Sequence, residues 1–177
     1  NWQFLYDGEA QSYDPANVYL DGNGRCVFKA EQRAHLTAPY VSGRIDTQGK
    51  FSYMYGDIEI VGQYPKGSMI YASLCWLAAY NEAYGPWPGC GEVDPTECFG
   101  SNPGSIRTSL IGPGGTIGTK ENYVVDPYVK HALTFRSTAD YVEWIITQQS
   151  VYKITKAECG ARWVFDHPFF LVSDLAL

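Results

Sequence analysis

Turn-forming residues interrupt this chain at short intervals, and no long segment between them carries the 3.6-residue periodicity of a helix. Asp21-Gly22-Asn23-Gly24 has the composition of a tight hairpin turn, because Asn and Gly accept the positive φ that such turns demand. Thr47-Gln48-Gly49-Lys50, Pro65-Lys66-Gly67-Ser68 and Gly112-Pro113-Gly114-Gly115 carry similar signals. Between them lie short runs rich in β-branched and aromatic residues: Val18 to Leu20, Cys26 to Ala30, Tyr53 to Tyr64, Tyr123 to Val125, Ala132 to Phe135, Tyr141 to Thr147 and Val151 to Thr155. Many short strands with regular punctuation predict an all-β sandwich or barrel. Within Tyr53 to Ile60 polar and apolar positions alternate only in part, which predicts a central strand covered on both faces. A short helical turn is expected near Thr155 to Cys159. No repeat, low-complexity tract or linker divides residues 1–177, so they are expected to form one domain with a sizeable core.

Composition narrows the function. Net charge is -6 and no run of Lys or Arg forms a basic stripe, which argues against nucleic acid as a partner. The apolar stretches, such as Met69 to Ala79, fall well short of the ~20 residues that span a bilayer, so no membrane partner is expected. Aromatics make up 15% of the chain, which suits a β-rich core but also a carbohydrate cleft, where flat rings stack on sugar faces. A neutral polysaccharide needs no charge complementarity. Trp76, Trp87, Tyr71, Tyr40 and Tyr55 are candidate sugar platforms, Trp87 foremost because a Gly/Pro loop presents it. Trp144 and Trp163 lie in apolar runs and are expected in the core. The five cysteines form no C-x-x-C pair and read as small buried hydrophobes. His35, His131 and His167 are scattered without metal-ligand spacing, so no metal site is expected.

Gly91-Glu92-Val93-Asp94-Pro95-Thr96-Glu97 places three acids within six residues. On a regular strand, residues two apart share a face, so Glu92 and Asp94 point the same way and Glu97 the other. One residue bulged out at Pro95-Thr96 restores the phase and returns Glu97 to the side of the other two. Proline suits a bulge, because it cannot donate to a strand ladder. Carboxylates crowded on one face resist ionising together, a poor arrangement for stability and a useful one for proton transfer. Retaining glycoside hydrolysis uses such a pair, with carboxyl groups ~5–5.5 Å apart. Spacing alone leaves open a solvated acidic turn, and a calcium loop would need more regularly repeated oxygen ligands.

The motif and its flanks resemble family 16 of the glycoside hydrolases. Glu92 through Glu97 fits that family's E-x-D-x-x-E signature in the bulged form of its laminarinase-like, endo-β-1,3-glucanase branch. Gly43 through Ser52 with Tyr55-Gly56, Pro65-Lys66-Gly67 with Trp76-Leu77, and Trp87 through Gly91 resemble the family's strands and loop before the active site, in order. Glu9 through Tyr13 resembles a segment near its cleft, and Trp163 through Leu171 a late core strand. Four positions depart from the pattern: Pro95 for an apolar residue, Tyr71 for a tryptophan, Asp57 for a basic residue, and Ile111 where a histidine is frequent. The resemblance further implies a chain shortened at both ends.

What the resemblance implies is a two-sheet antiparallel β-sandwich, a jelly roll, with a concave substrate cleft. It implies endo-hydrolysis of β-1,3-glucan with retention, Glu92 as nucleophile, Glu97 as acid/base and Asp94 between them. Trp87, Trp76, Tyr71, Glu9 and Arg44 are the expected substrate-binding residues. No cofactor is required; a structural calcium ion is compatible with such a fold, but nothing in the sequence indicates one. A secreted monomer acting outside the cell is expected, with no signal peptide visible in this chain. A non-catalytic glucan-binding module or an inactive scaffold on the same fold remains the alternative.

Overall fold

A computed structural model of the chain describes residues 8–102, 104–123, 126 and 129–177. Its first strands are β1 (Gln11–Tyr13), β2 (Val18–Leu20), β3 (Cys26–Phe28), β4 (Tyr40–Ser42), β5 (Arg44–Asp46), β6 (Gly56–Gly62) and β7 (Tyr71–Ala78). A short helix α1 (Asn81–Tyr84) leads to β8 (Glu92–Phe99), β9 (Ser105–Gly112), β10 (Gly115–Tyr123), β11 (His131–Ser137), β12 (Tyr141–Ile146) and β13 (Gln149–Thr155). Helix α2 (Lys156–Cys159) then precedes β14 (Phe170–Ala176). Six strands pair in the order β10-β9-β8-β7-β14-β5, and four in the order β13-β12-β11-β6. All these pairings are antiparallel. The two sheets pack face to face through Leu77, Val93, Leu110, Phe135, Val142 and Trp144, and Trp163 joins that core. The expected sandwich is present, as is the helical turn after Thr155, where Thr155 and Glu158 form a reciprocal capping box.

Several expectations need correction. Strand β6 is an edge strand, not a central one: Ile58 and Ile60 face inward, while Asp57, Glu59 and Val61 are exposed. Its alternation is clean once the strand begins at Gly56, because Tyr53 belongs to an isolated bridge with Phe169. Strands β1 and β4 pair in parallel, an exception to the antiparallel rule. Trp163 to Phe169 packs in the core without forming a strand, which starts only at Phe170. Strands β9 and β10 rise from segments whose glycines and polar residues hid them, and of the expected Tyr123–Val125 run Val124 and Val125 lie outside the described residues. Four cysteines are buried thiols, but Cys26 is exposed.

The hairpin between β12 and β13 turns on two residues, Thr147 and Gln148, both at positive φ (50° and 66°). Such a turn favours Asn-Gly, because a side chain branched at Cβ is strained there. Replacing the pair by Asn-Gly should stabilise the fold by about 1 kcal/mol, read as a higher denaturant midpoint with unchanged slope.

The phase of β8 decides the functional face. Asp94 pairs with Ser109 and Glu97 with Arg107, so three steps along β8 match two along β9. One extra residue is therefore accommodated at Pro95-Thr96, and Glu97 shares a face with Asp94. Opposite the bulge, β7 slips too, between Ser73 and Cys75 and between Cys75 and Leu77. The fully buried Thr96 repairs the ladder: its Oγ1 accepts from the amides of Leu74 (3.2 Å) and Cys75 (3.3 Å), and Ser73 Oγ donates to its carbonyl (3.0 Å). Thr96→Val keeps the shape and orphans two buried amides, each costing ~1–3 kcal/mol. We expect a loss of about 2–3 kcal/mol in chemical denaturation.

Candidate active site

With Val93 committed to the core, the opposite face of β8 carries Glu92 and Asp94 into an open cleft of about 470 Å³. The neighbouring strands present their residues to the same cleft: Tyr71, Trp76 and Ala78 from β7, Asp174 from β14, and Arg44 and Asp46 from β5. Glu9 and Trp87 complete its rim. Seven of the eight expected site residues thus line one cleft, and the eighth, Glu97, reaches it through Tyr71, whose hydroxyl donates to Glu97 Oε1 at 2.8 Å. Tyr55 lies elsewhere, its hydroxyl donating to Asp166, and Tyr40 is not among the lining residues.

Each acid has its own surroundings. Glu92 accepts a hydrogen bond from Trp87 Nε1 at 3.1 Å. Trp87 is 57% exposed, held out by a loop in which Cys90 and Gly91 bond back to the carbonyls of Pro86 and Pro88. His167 braces this loop, with Nε2 2.9 Å from the Cys90 carbonyl and its ring stacked on Tyr84. His35 and His131 are likewise held by hydrogen bonds, and none of the three histidines lines the cleft. Burial pushes the Glu92 carboxyl up to about 7; the Trp87 bond opposes this and the charge of Glu97 adds to it. Asp94 is 5% exposed, and no side-chain hydrogen bond reaches it among the described residues. Burial, then the charges of Glu92, Glu97 and Asp174, hold it well above the usual carboxylate range. Glu97 is 8% exposed and also accepts from Ser109 Oγ at 3.1 Å. Burial raises it too, against the pull of Tyr71, Ser109 and Arg107 toward the ionised form.

Asp174 escaped the sequence reading. It lies buried against Arg44, with Nη1 3.4 Å from its Oδ2, and burial raises it to about 6 although Arg44 opposes the shift. An acid inside the apolar run Phe170 to Leu177 was the available signal. The Arg44 guanidinium sits 5.2 Å from the Trp76 ring centre, close enough for a cation–π contact. Glu9 accepts from Gln11 Nε2 at 2.8 Å, and burial raises it as well. Among the described residues one cation therefore faces six lining acids: Glu9, Asp46, Glu82, Glu92, Asp94 and Asp174. Among the described residues no group of three or more His, Cys, Asp or Glu side chains is arranged to hold a metal ion. What the arrangement offers chemically is a set of buried carboxyls held by burial toward their protonated forms, flanked by indoles.

Known proteins carry the same framework. No protein-family model matches the chain. It is 28% identical to glucan endo-1,3-β-glucosidase A1 of Niallia circulans over 97% of its own length, and 28% identical to a β-glucanase of Rhodothermus marinus over 88%. It spans only 28% and 59% of the length of those two proteins. The laminarinase catalytic domain of Thermotoga maritima superposes with a TM-score of 0.87 at 32% identity, covering 96% of this chain and 73% of that one. By this likeness across nearly its whole length, the chain belongs to the laminarinase-like branch of family 16 of the glycoside hydrolases.

Proposed function

We propose that this protein cleaves β-1,3-linked glucan internally and with retention of configuration. The observation that carries the reading is the bulge in β8, which puts Glu92, Asp94 and Glu97 on one face beside Trp76 and Trp87. In this reading Glu92 attacks the anomeric carbon while Glu97 protonates the departing oxygen, and Glu97 then takes a proton from the water that releases the sugar. Asp94, kept neutral by burial, withholds a third negative charge from the cleft. Trp76 and Trp87 offer faces to the sugar rings. The reading includes no catalytic cofactor. It includes a secreted monomer; none of the described helices is long and apolar enough to cross a membrane.

Reducing-sugar release from laminarin, run beside retention on insoluble glucan, tests the proposal. Folded protein that binds glucan and releases no sugar would instead be a binding module. Stereochemistry tests the division of labour. Glu92→Ala with azide should give a glycosyl azide of inverted configuration. Glu97→Ala on a substrate with a good leaving group should give the retained azide, because the covalent intermediate still forms. Products of the opposite configuration reverse the assignment.

The pH dependence follows from the shifts. Glu92 and Glu97 are both raised, so their protons leave in two steps that belong to the pair. Before the first step neither carboxyl is ionised to attack; after the second neither keeps a proton to donate. Activity should therefore be bell-shaped on the acidic side of neutral, measured as kcat/KM against pH, with both limbs above the usual carboxylate value of ~4.3.

A further inference from the structure

Tyr71 occupies a tryptophan position of the resembled pattern, and its hydroxyl gives it a different capability. Its ring packs on Phe99 with centroids 4.9 Å apart, and its hydroxyl points to Glu97 Oε1 at 2.8 Å. Ser109 donates to the other oxygen, and Thr119 Oγ1 lies 3.1 Å from Ser109 Oγ. Both oxygens of a nearly buried carboxyl are thus gripped by hydroxyls from the two neighbouring strands. Glutamate has a rotatable side chain, and two donors on two oxygens fix the plane of its carboxyl. Burial and the charge of Glu97 keep the Tyr71 phenol protonated, so it is a permanent donor.

We propose that Tyr71 is a positioning residue for the acid/base: its hydroxyl holds the plane of the Glu97 carboxyl and tunes how readily Glu97 gives up its proton. The inference rests on the reading of Glu97 as proton donor. A sugar platform alone would need only the ring. Charges around Glu97 stay in place when that hydroxyl is removed. They are Glu92 on its own strand, Arg107 on β9, Glu121 on β10 and Asp174 on β14, with the Asp94 carboxyl and the buried Tyr64 phenol as titratable neighbours. Arg107 favours the ionised carboxyl and Glu121 opposes it.

Tyr71→Phe keeps the ring on Phe99 and removes only the donor. A carboxyl-¹³C titration, with the Glu97 signal assigned by its loss in Glu97→Gln, reads the effect whether or not the protein turns over substrate. Losing a donor to the ionised form raises the Glu97 midpoint, by about one pH unit, and moves the alkaline limb of kcat/KM on laminarin upward with it. Installing 3-fluorotyrosine in place of Tyr71 makes a stronger donor and should move both downward. An unmoved Glu97 midpoint, even with a raised KM, overturns the inference and leaves Tyr71 as a sugar contact. A midpoint that moves while the alkaline limb stays overturns the donor role of Glu97, and the inference with it.

Discussion

Strand β8 must serve two masters in eight residues. One of its faces seals the core through Val93 and Cys98; the other carries three acids, of which Glu92 and Asp94 line the cleft and Glu97 meets it through Tyr71. A strand has a side-chain period of two, and the spacing from Glu92 to Glu97 is odd, so a regular strand would drive one carboxyl into the apolar interior. The bulge at Pro95-Thr96 resolves the conflict, and much around it follows. Proline suits the place where the ladder is broken. Thr96 supplies the acceptor that the slipped β7 amides need. The register of β9 then sets Ser109 beside Asp94 and Arg107 beside Glu97.

This arrangement was legible in sequence because it rests on parity, which needs no knowledge of partners. The odd spacing and the proline were compatible with the bulge, while spacing alone left a solvated acidic turn open. Trp87 was legible for a similar reason, since a Gly/Pro loop before a strand presents its residues outward. Other features depend on partners that no local pattern names. Strand β9 reads Ser-Ile-Arg-Thr-Ser-Leu-Ile-Gly, and its polar positions make sense only once it is seen to line the cleft beside β8. The edge position of β6 is set by sheet order, which its own alternation does not encode. Asp174 acquires its meaning from Arg44, 130 residues away.

The cleft is held together at an energetic cost. Burial raises Glu92, Asp94, Glu97 and Asp174, so the folded state favours their neutral forms. An acid raised on folding contributes stability that is fully present below its unfolded value and is lost as pH rises through its folded one. Here that loss runs from the usual carboxylate range up to about 6 for Asp174 and about 7 for Glu92. The domain is therefore least comfortable on the alkaline side of the window in which the pair carries a single proton. Neutral side chains of the same shape would avoid that cost.

Arg44 limits that cost without removing it. It pairs with Asp174, and both side chains are more than nine-tenths buried. Its guanidinium also lies over Trp76, so one cation orients a carboxylate and an indole at once. Its charge pulls Glu92 and Glu9 toward ionisation, opposing the burial that raises them. A lysine could supply the charge but not the planar surface that meets the ring. The same residue thus links the far wall of the cleft, on β5 and β14, to the proton balance on β8. Glu97, at the other end, is governed instead by hydroxyls and by Arg107. The two glutamates sit on one strand, yet they answer to different neighbours: Trp87 and Arg44 oppose the burial that raises Glu92, and Tyr71, Ser109 and Arg107 oppose the burial that raises Glu97.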